Sequence, residues 1–191
     1  MALAFAGNGT ITGLSVGGLP DGCIQASDFA TGVGGKVLQV VSAYSTVTQH
    51  TAATSTWTDL TGMSVSITPS ATSSKIWVIA NITGTVGTSE YGGIRLVEDS
   101  TPIGIATSVS SQTPMTSAGE PTVGTYTSSN MPISWIASPS TTSAVTYKVH
   151  MYATGNVYMN RTVGDVDNAA TPRTVSTITV MELGAATVSG T

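Results

Sequence analysis

A chain of 191 residues is long enough for one domain with a sizeable core and a short appendage. Only 8% of its residues are charged, against about 25% in an average soluble domain. A formal net charge of −4 and an isoelectric point near 4.8 leave no basic footprint, which argues against nucleic acid as a partner.

The opening MALAFAG lacks a basic flank, and its apolar run is too short for a signal peptide. No stretch approaches the roughly 18 apolar residues of a membrane helix, so the expectation is a chain that is soluble when made, without membrane insertion. Over residues 1–34 glycine recurs at positions 7, 9, 13, 17, 18, 22, 32 and 34, too often for a regular core. Leu19-Pro20-Asp21-Gly22 has the residues of a type I turn, and Ser27 suits the cap of a single helical turn. Cys23 has no partner for an intrachain disulfide and reads as a small buried apolar residue. With so few apolar groups, residues 1–34 read as an N-terminal docking or intertwining arm rather than a domain.

Residues 35–185 carry the signals of a β-sandwich domain, and 186–191 a C-terminal tail. Leu38, Val40 and Tyr44 open the strand pattern. Met63, Val65 and Ile67 alternate with Ser64, Ser66 and Thr68, the period of a half-buried strand. Pro69 and the run Ser70 to Ser74 supply a connection. Then Ile76, Val78, Ala80 and Ile82 fill one face of a second strand while Trp77 and Ile79 put bulk on the other, so that strand is covered on both sides. This pair reads as the centre of the sandwich, with Trp77 and Trp135 in the core. Strands follow at 94–98, 103–105 and 131–137, with Pro132 at a strand start. At 145–153, Val145, Tyr147, Val149, Met151 and Ala153 alternate with Thr146, Lys148, His150 and Tyr152. The series ends with 157–162 and 175–183. No window has helical periodicity, and eight to ten strands joined by turns predict an all-β, antiparallel, jelly-roll-like sandwich.

Two excursions interrupt this series. Residues 106–130, rich in Ser, Thr, Gly and Pro, exceed a plain loop and have room for a weak strand over 122–127. Residues 163–172 form the other, and long loops on a rigid sandwich are where binding sits. Tyr126 offers a flat face to a sugar ring, with Asn130, Asp165, Asp167 and Asn168 for its hydroxyls, making these five the candidate receptor-binding residues. Asp165-Val166-Asp167-Asn168 alternates oxygen ligands as calcium sites do, yet lacks the glycine and distal glutamate of an EF-hand and reads as an Asx turn. Glu98-Asp99 either face solvent or pair with Arg95. Neither His50 nor His150 sits in a catalytic motif, and no G-x-S-x-G or H-E-x-x-H occurs. The reading is therefore a protein that is not an enzyme, with no catalytic residues, cofactor or metal. Asn8, Asn81 and Asn160 head glycosylation-type triplets of the kind that a threonine-rich chain produces by chance.

Serine and threonine make up about three residues in ten, so hydroxyls keep the surface wet where lysine and glutamate ordinarily would. With a hydrophobic fraction of 40%, this favours an ordered β protein covered by partner subunits over a disordered chain. The strand and turn words GKVLQVVSA (35–43), TDLTGMSVSITPSATSSKI (58–76), IRLVEDSTPIG (94–104), TTSAVTYKVHMY (141–152), MNRT (159–162) and STITVMEL (176–183) occur in one order. With GLPDGCIQASDFATG in the leader, the chain resembles the tail-fibre and virion-appendage proteins of tailed bacteriophages. That resemblance implies a compact homotrimeric β-sandwich assembled in the host cytoplasm and exposed on the particle. Its expected partners are other tail, baseplate or capsid proteins and a host cell-surface glycan. Two other roles suit the same residues: a capsid decoration protein, and a polysaccharide depolymerase.

Overall fold

The computed structural model describes residues 37–51, 55–87, 91–119 and 126–184. The arm expected over 1–34, with Cys23, and the tail expected over 186–191 lie outside the described residues. Those described contain eleven strands and no helix: β1 Val37–Ser45, β2 Gln49–Thr51, β3 Thr58–Ile67, β4 Lys75–Val86, β5 Gly92–Glu98, β6 Thr101–Ile103, β7 Ser117–Gly119, β8 Ser129–Ala137, β9 Val145–Ala153, β10 Val157–Met159 and β11 Ser176–Leu183.

Every pairing is antiparallel. On one flank of β4, β11 runs opposite residues 75–81 and β10 opposite 84–86, so the two lie end to end on one strand line. Next to them β1 flanks β11 and β2 flanks β10, while β8 takes the other flank of β4. In the second sheet β9 runs between β3 and β5, and β6 and β7 share the far flank of β5 end to end. Counting each line once gives eight strands in two sheets of four. Numbered in chain order they run 1-8-3-6 and 2-7-4-5, the double Greek key of a jelly roll.

The core lies between the sheets. Along β4, Ile76, Val78, Ala80 and Ile82 are buried, and along β9 so are Val145, Tyr147, Val149 and Met151. Strict alternation in both strands aims these side chains inward. The hydroxyl of Tyr147, fully buried, donates to Glu98 at 2.9 Å. Burial raises the phenol's pKa, and so does that bond.

Several expectations are corrected. The strands β3 and β4 are not a central pair: the connection at 68–74 crosses from one sheet to the other, leaving β3 at an edge. What holds that crossing is Glu182 on β11, whose carboxylate accepts from Ser70 Oγ and Ser74 Oγ, both at 2.6 Å. Neither Trp77 nor Trp135 is a core residue. Trp77 stands on the outer face and donates to Ser134 at 3.1 Å. By register Trp135 shares the face of Val78, but β8 is an edge strand and the ring is 43% exposed. It lies over Gly104, where φ is +59° and a Cβ would come within 2.9 Å of the indole. Pro132 lies inside β8 rather than at its start, as an edge strand permits. The excursion at 106–130 contains a strand at Ser117–Gly119, while most of the stretch 122–127 where a weak strand was expected lies outside the described residues.

The second excursion leaves the strand line after β10 and rejoins it at β11. Asn160 spans the gap. Its side-chain amide donates to Ser45 O at 3.0 Å and Val47 O at 2.9 Å, its Oδ1 accepts from Ser176 at 2.7 Å, and its backbone N–H donates to Thr83 O at 3.0 Å. At φ 56° it occupies the left-handed region that asparagine tolerates. It is buried and fully engaged, so this triplet is closed to glycosylation in the folded chain.

Candidate functional site

Of the five candidate receptor-binding residues, Asp165, Asp167 and Asn168 line one small cleft of about 330 Å³ with Val166, Thr171 and Arg173. The carboxylate of Asp165 is held by Arg161 and by Arg173, the latter at 2.5 Å. Asn168 Oδ1 accepts from Ala170 N at 2.8 Å, the Asx turn read from the sequence, and Thr171 Oγ1 donates to the carbonyls of Val166 and Asn168. Much of this loop's polar capacity is thus spent within it. Among the described residues no group of three His, Cys, Asp or Glu side chains converges as a metal site would require.

Asn130 pairs across β8 and β4 with Thr83 and reaches Asn81 at 3.4 Å, one strand away from the root of that loop. Tyr126 is exposed, in a turn before β8. Neither lines the cleft of Asp165. The ring of Tyr158 is covered by the Arg161 guanidinium at 4.8 Å.

A larger recess lies elsewhere, on the outer face of β3 and β9 and beside the end of β5. It encloses about 570 Å³ and is lined by residues that include Asp59, Ser64, Asp99, Thr146 and Lys148. Its shape follows from a bulge. Between Asp59 and Ser64 β3 advances five residues while β9 advances two, from His150 to Lys148. The surplus arches outward at Gly62, whose φ of +79° is open to glycine, while Leu60 and Met63 stay in the core.

At one end of the recess, register places Asp59, His150 and Arg95 side by side across three strands. His150 Nε2 is 2.7 Å from Asp59 Oδ1, and Lys148 Nζ is 3.3 Å from the same oxygen. On its other side His150 Nδ1 meets the Arg95 guanidinium at 3.1 Å. Because the guanidinium can only donate, Nδ1 is the acceptor, which describes neutral imidazole. The pKa of His150 is lowered accordingly: burial lowers it, Asp59 pulls the other way, and Arg95 and Lys148 add to the lowering. Arg95 in turn stacks on Trp57 at 4.3 Å, and Trp57 meets Tyr152 with centroids 5.3 Å apart. Arg95 therefore serves His150 and Trp57; Glu98 takes the Tyr147 hydroxyl, and Asp99 caps Thr146 N at 2.9 Å. Sequence reading missed this cluster because its members lie far apart in the chain. The available signal was two basic side chains, Lys148 and His150, on one face of a strand, which calls for an acidic neighbour.

The outer face of the other sheet is of a different kind. Val40, Met181, Trp77 and Ile136 stand opposite one another across four strands. The next two rows are Ser42, Thr179, Ile79 and Ser134, then Tyr44, Thr177, Asn81 and Pro132. No charged side chain occurs in the three rows, and the edge strand adds Val37 and Leu38, exposed like Val40 and Tyr44.

No family model matches the chain, and no curated protein matches it. Among solved structures it is similar to a chain in the structure of infectious bursal disease virus, Gx strain, with 11% identity over 78% of this chain and a TM-score of 0.36. The match spans 39% of that viral chain's own length.

Proposed function

We propose that this chain is an oligomeric structural protein of a virus particle, specifically a tail-fibre or tail-tip component of a tailed bacteriophage that meets a glycan on the host surface. The observation that carries the reading is the set of three consecutive uncharged rows on the outer face of the β1–β11–β4–β8 sheet. Natural edge strands and sheet faces left in water are guarded by charge, above all lysine. Three consecutive rows without one, continued onto an exposed apolar edge, suit a surface covered by other copies. Closed cyclic symmetry satisfies such a surface, and a trimer is the form in which the resembling appendages occur. Jelly rolls serve viral shells and lectins alike, so the architecture accommodates both assembly and sugar binding.

Light scattering on the purified chain is expected to give three times the 19.3 kDa chain mass. Trp77→Glu, placing charge at the middle of the apolar row, is expected to yield smaller species. A monodisperse parent monomer would remove the oligomer from the reading. Labelled antibody on intact particles then locates the protein. Label at the tail end supports the appendage, label over the shell makes it a capsid decoration protein, and no label on either refutes a place on the particle surface.

A further inference from the structure

We propose that the recess across β3, β9 and β5 is a saccharide site whose ligand is a neutral oligosaccharide. The proposal rests on the reading of a glycan-binding surface protein and gives that function a place and a ligand class. A volume of about 570 Å³ falls within the range of small-molecule sites. Thr146, Lys148, His150 and Tyr152 alternate along the outward side of β9, so successive groups stand roughly 7 Å apart. Thr146 and Lys148 therefore present polar groups along one line of the recess, and that line runs on past the half-buried His150 to the Trp57–Tyr152 pair beyond the lining.

The charge balance selects the ligand. Within the lining, two carboxylates, Asp59 and Asp99, face one ammonium, Lys148, which is already engaged by Asp59; the Arg95 guanidinium lies behind His150, outside the lining. An acidic sugar or a phosphate would meet those carboxylates with no free cation to offset them. Neutral hydroxyls instead donate to the carboxylates, and to Ser64 and Thr146. Asp59 keeps 66% of its side chain exposed although His150 and Lys148 fix its position, so it is held in place with acceptor capacity left over. Arg95, clamped between His150 and Trp57, is a positioning residue for that carboxylate. A peptide is a poorer occupant. Peptides add to open sheet edges through backbone bonds, whereas β9 is paired on both flanks.

Saturation-transfer NMR on the intact chain tests this, with glucan, mannan and galactan fragments as neutral probes beside sialylated and uronic-acid oligosaccharides. A neutral probe is expected to give saturable transfer with Kd of about 1 mM or tighter. Asp59→Asn, which keeps shape and removes charge, and Ser64→Arg, which fills the recess from an exposed position, are each expected to weaken it about tenfold or more. Circular dichroism should show both variants folded. Absence of transfer from every neutral probe up to about 10 mM overturns the proposal. So does equal transfer in the parent and both folded variants, or preference for an acidic probe. The two readings fail separately: a shell protein that binds neutral sugar in the recess sinks the appendage but keeps the site. A tail protein with a silent recess does the reverse.

Discussion

Replacing Glu182 by Gln would measure what fastens the chain's crossing between the sheets. Glu182 is fully buried on β11. Its Oε1 accepts from Ser70 N at 2.7 Å and from Ser70 Oγ and Ser74 Oγ at 2.6 Å each, and its Oε2 accepts from Gln39 at 2.7 Å. Burial pushes the carboxyl pKa up, but the bonds from Ser70, Ser74 and Gln39 outweigh it and hold the group at about 2, against 4.5 for a free glutamate. Because the folded value is the depressed one, the stabilisation is complete above the unfolded pKa and drains away as pH falls towards the folded one. Its full size is about 3 kcal/mol. In the Gln variant one oxygen still accepts the serine bonds, now without charge. The new amide points its N–H groups at Gln39 Nε2, a donor already engaged with Thr68 O at 2.6 Å. Losing one bond and the charge on three others is expected to cost about 2–3 kcal/mol near neutral pH. Urea denaturation at fixed protein concentration reads this directly, concentration being held because association adds to apparent stability. The gap between parent and variant should be widest at neutral pH and close as pH falls through about 2, where the parent carboxyl itself takes up its proton. An equal gap at both pH values, or no gap at neutral pH, would refute the account.

Asn160→Ala removes three side-chain bonds and strands the buried carbonyl of Ser45. The expected cost is about 3 kcal/mol, seen in calorimetry as a fall in Tm of about 6–12 °C. Gly104→Ala sets a Cβ against the Trp135 ring at a positive φ, so a loss of about 1–3 kcal/mol and a shifted tryptophan emission are expected. His150 should titrate below an ordinary histidine in NMR; Arg95→Met should move its midpoint up and Asp59→Asn down, and no movement in either would contradict the charge assignment.

The strands themselves were legible where one face is core and the other wet, and β9 shows it best, each inward residue from Val145 to Ala153 being buried. Pairing order was not. A connection of the length of 68–74 serves a hairpin or a crossing equally, and what decides between them is Glu182, more than 100 positions away from Ser70 and Ser74. The two tryptophans misled for the same reason: bulk and hydrophobicity say that a side chain wants cover, while strand order says whether cover is there. Tyr126, Asn130, Asp165, Asp167 and Asn168 were chosen from loop length and composition, which find exposed segments readily. They say nothing of the Asp59–His150–Arg95 row, which exists only through register.

Where β10 meets β11, and where β6 meets β7, the chain departs from a strand line and comes back to it. Whatever lies between departure and return is therefore external to the ladder's count. Residues 107–114 or 163–173 can be lengthened, trimmed or exchanged without displacing a single rung to either side, provided that Gly104 and Thr116 stay at the first gap and Asn160 at the second. Divergence among homologous chains is expected to accumulate in these two inserts while the eight lines keep their spacing. For protein engineering the same property makes them splice points, places where a foreign segment can be carried by a frame that does not register its presence.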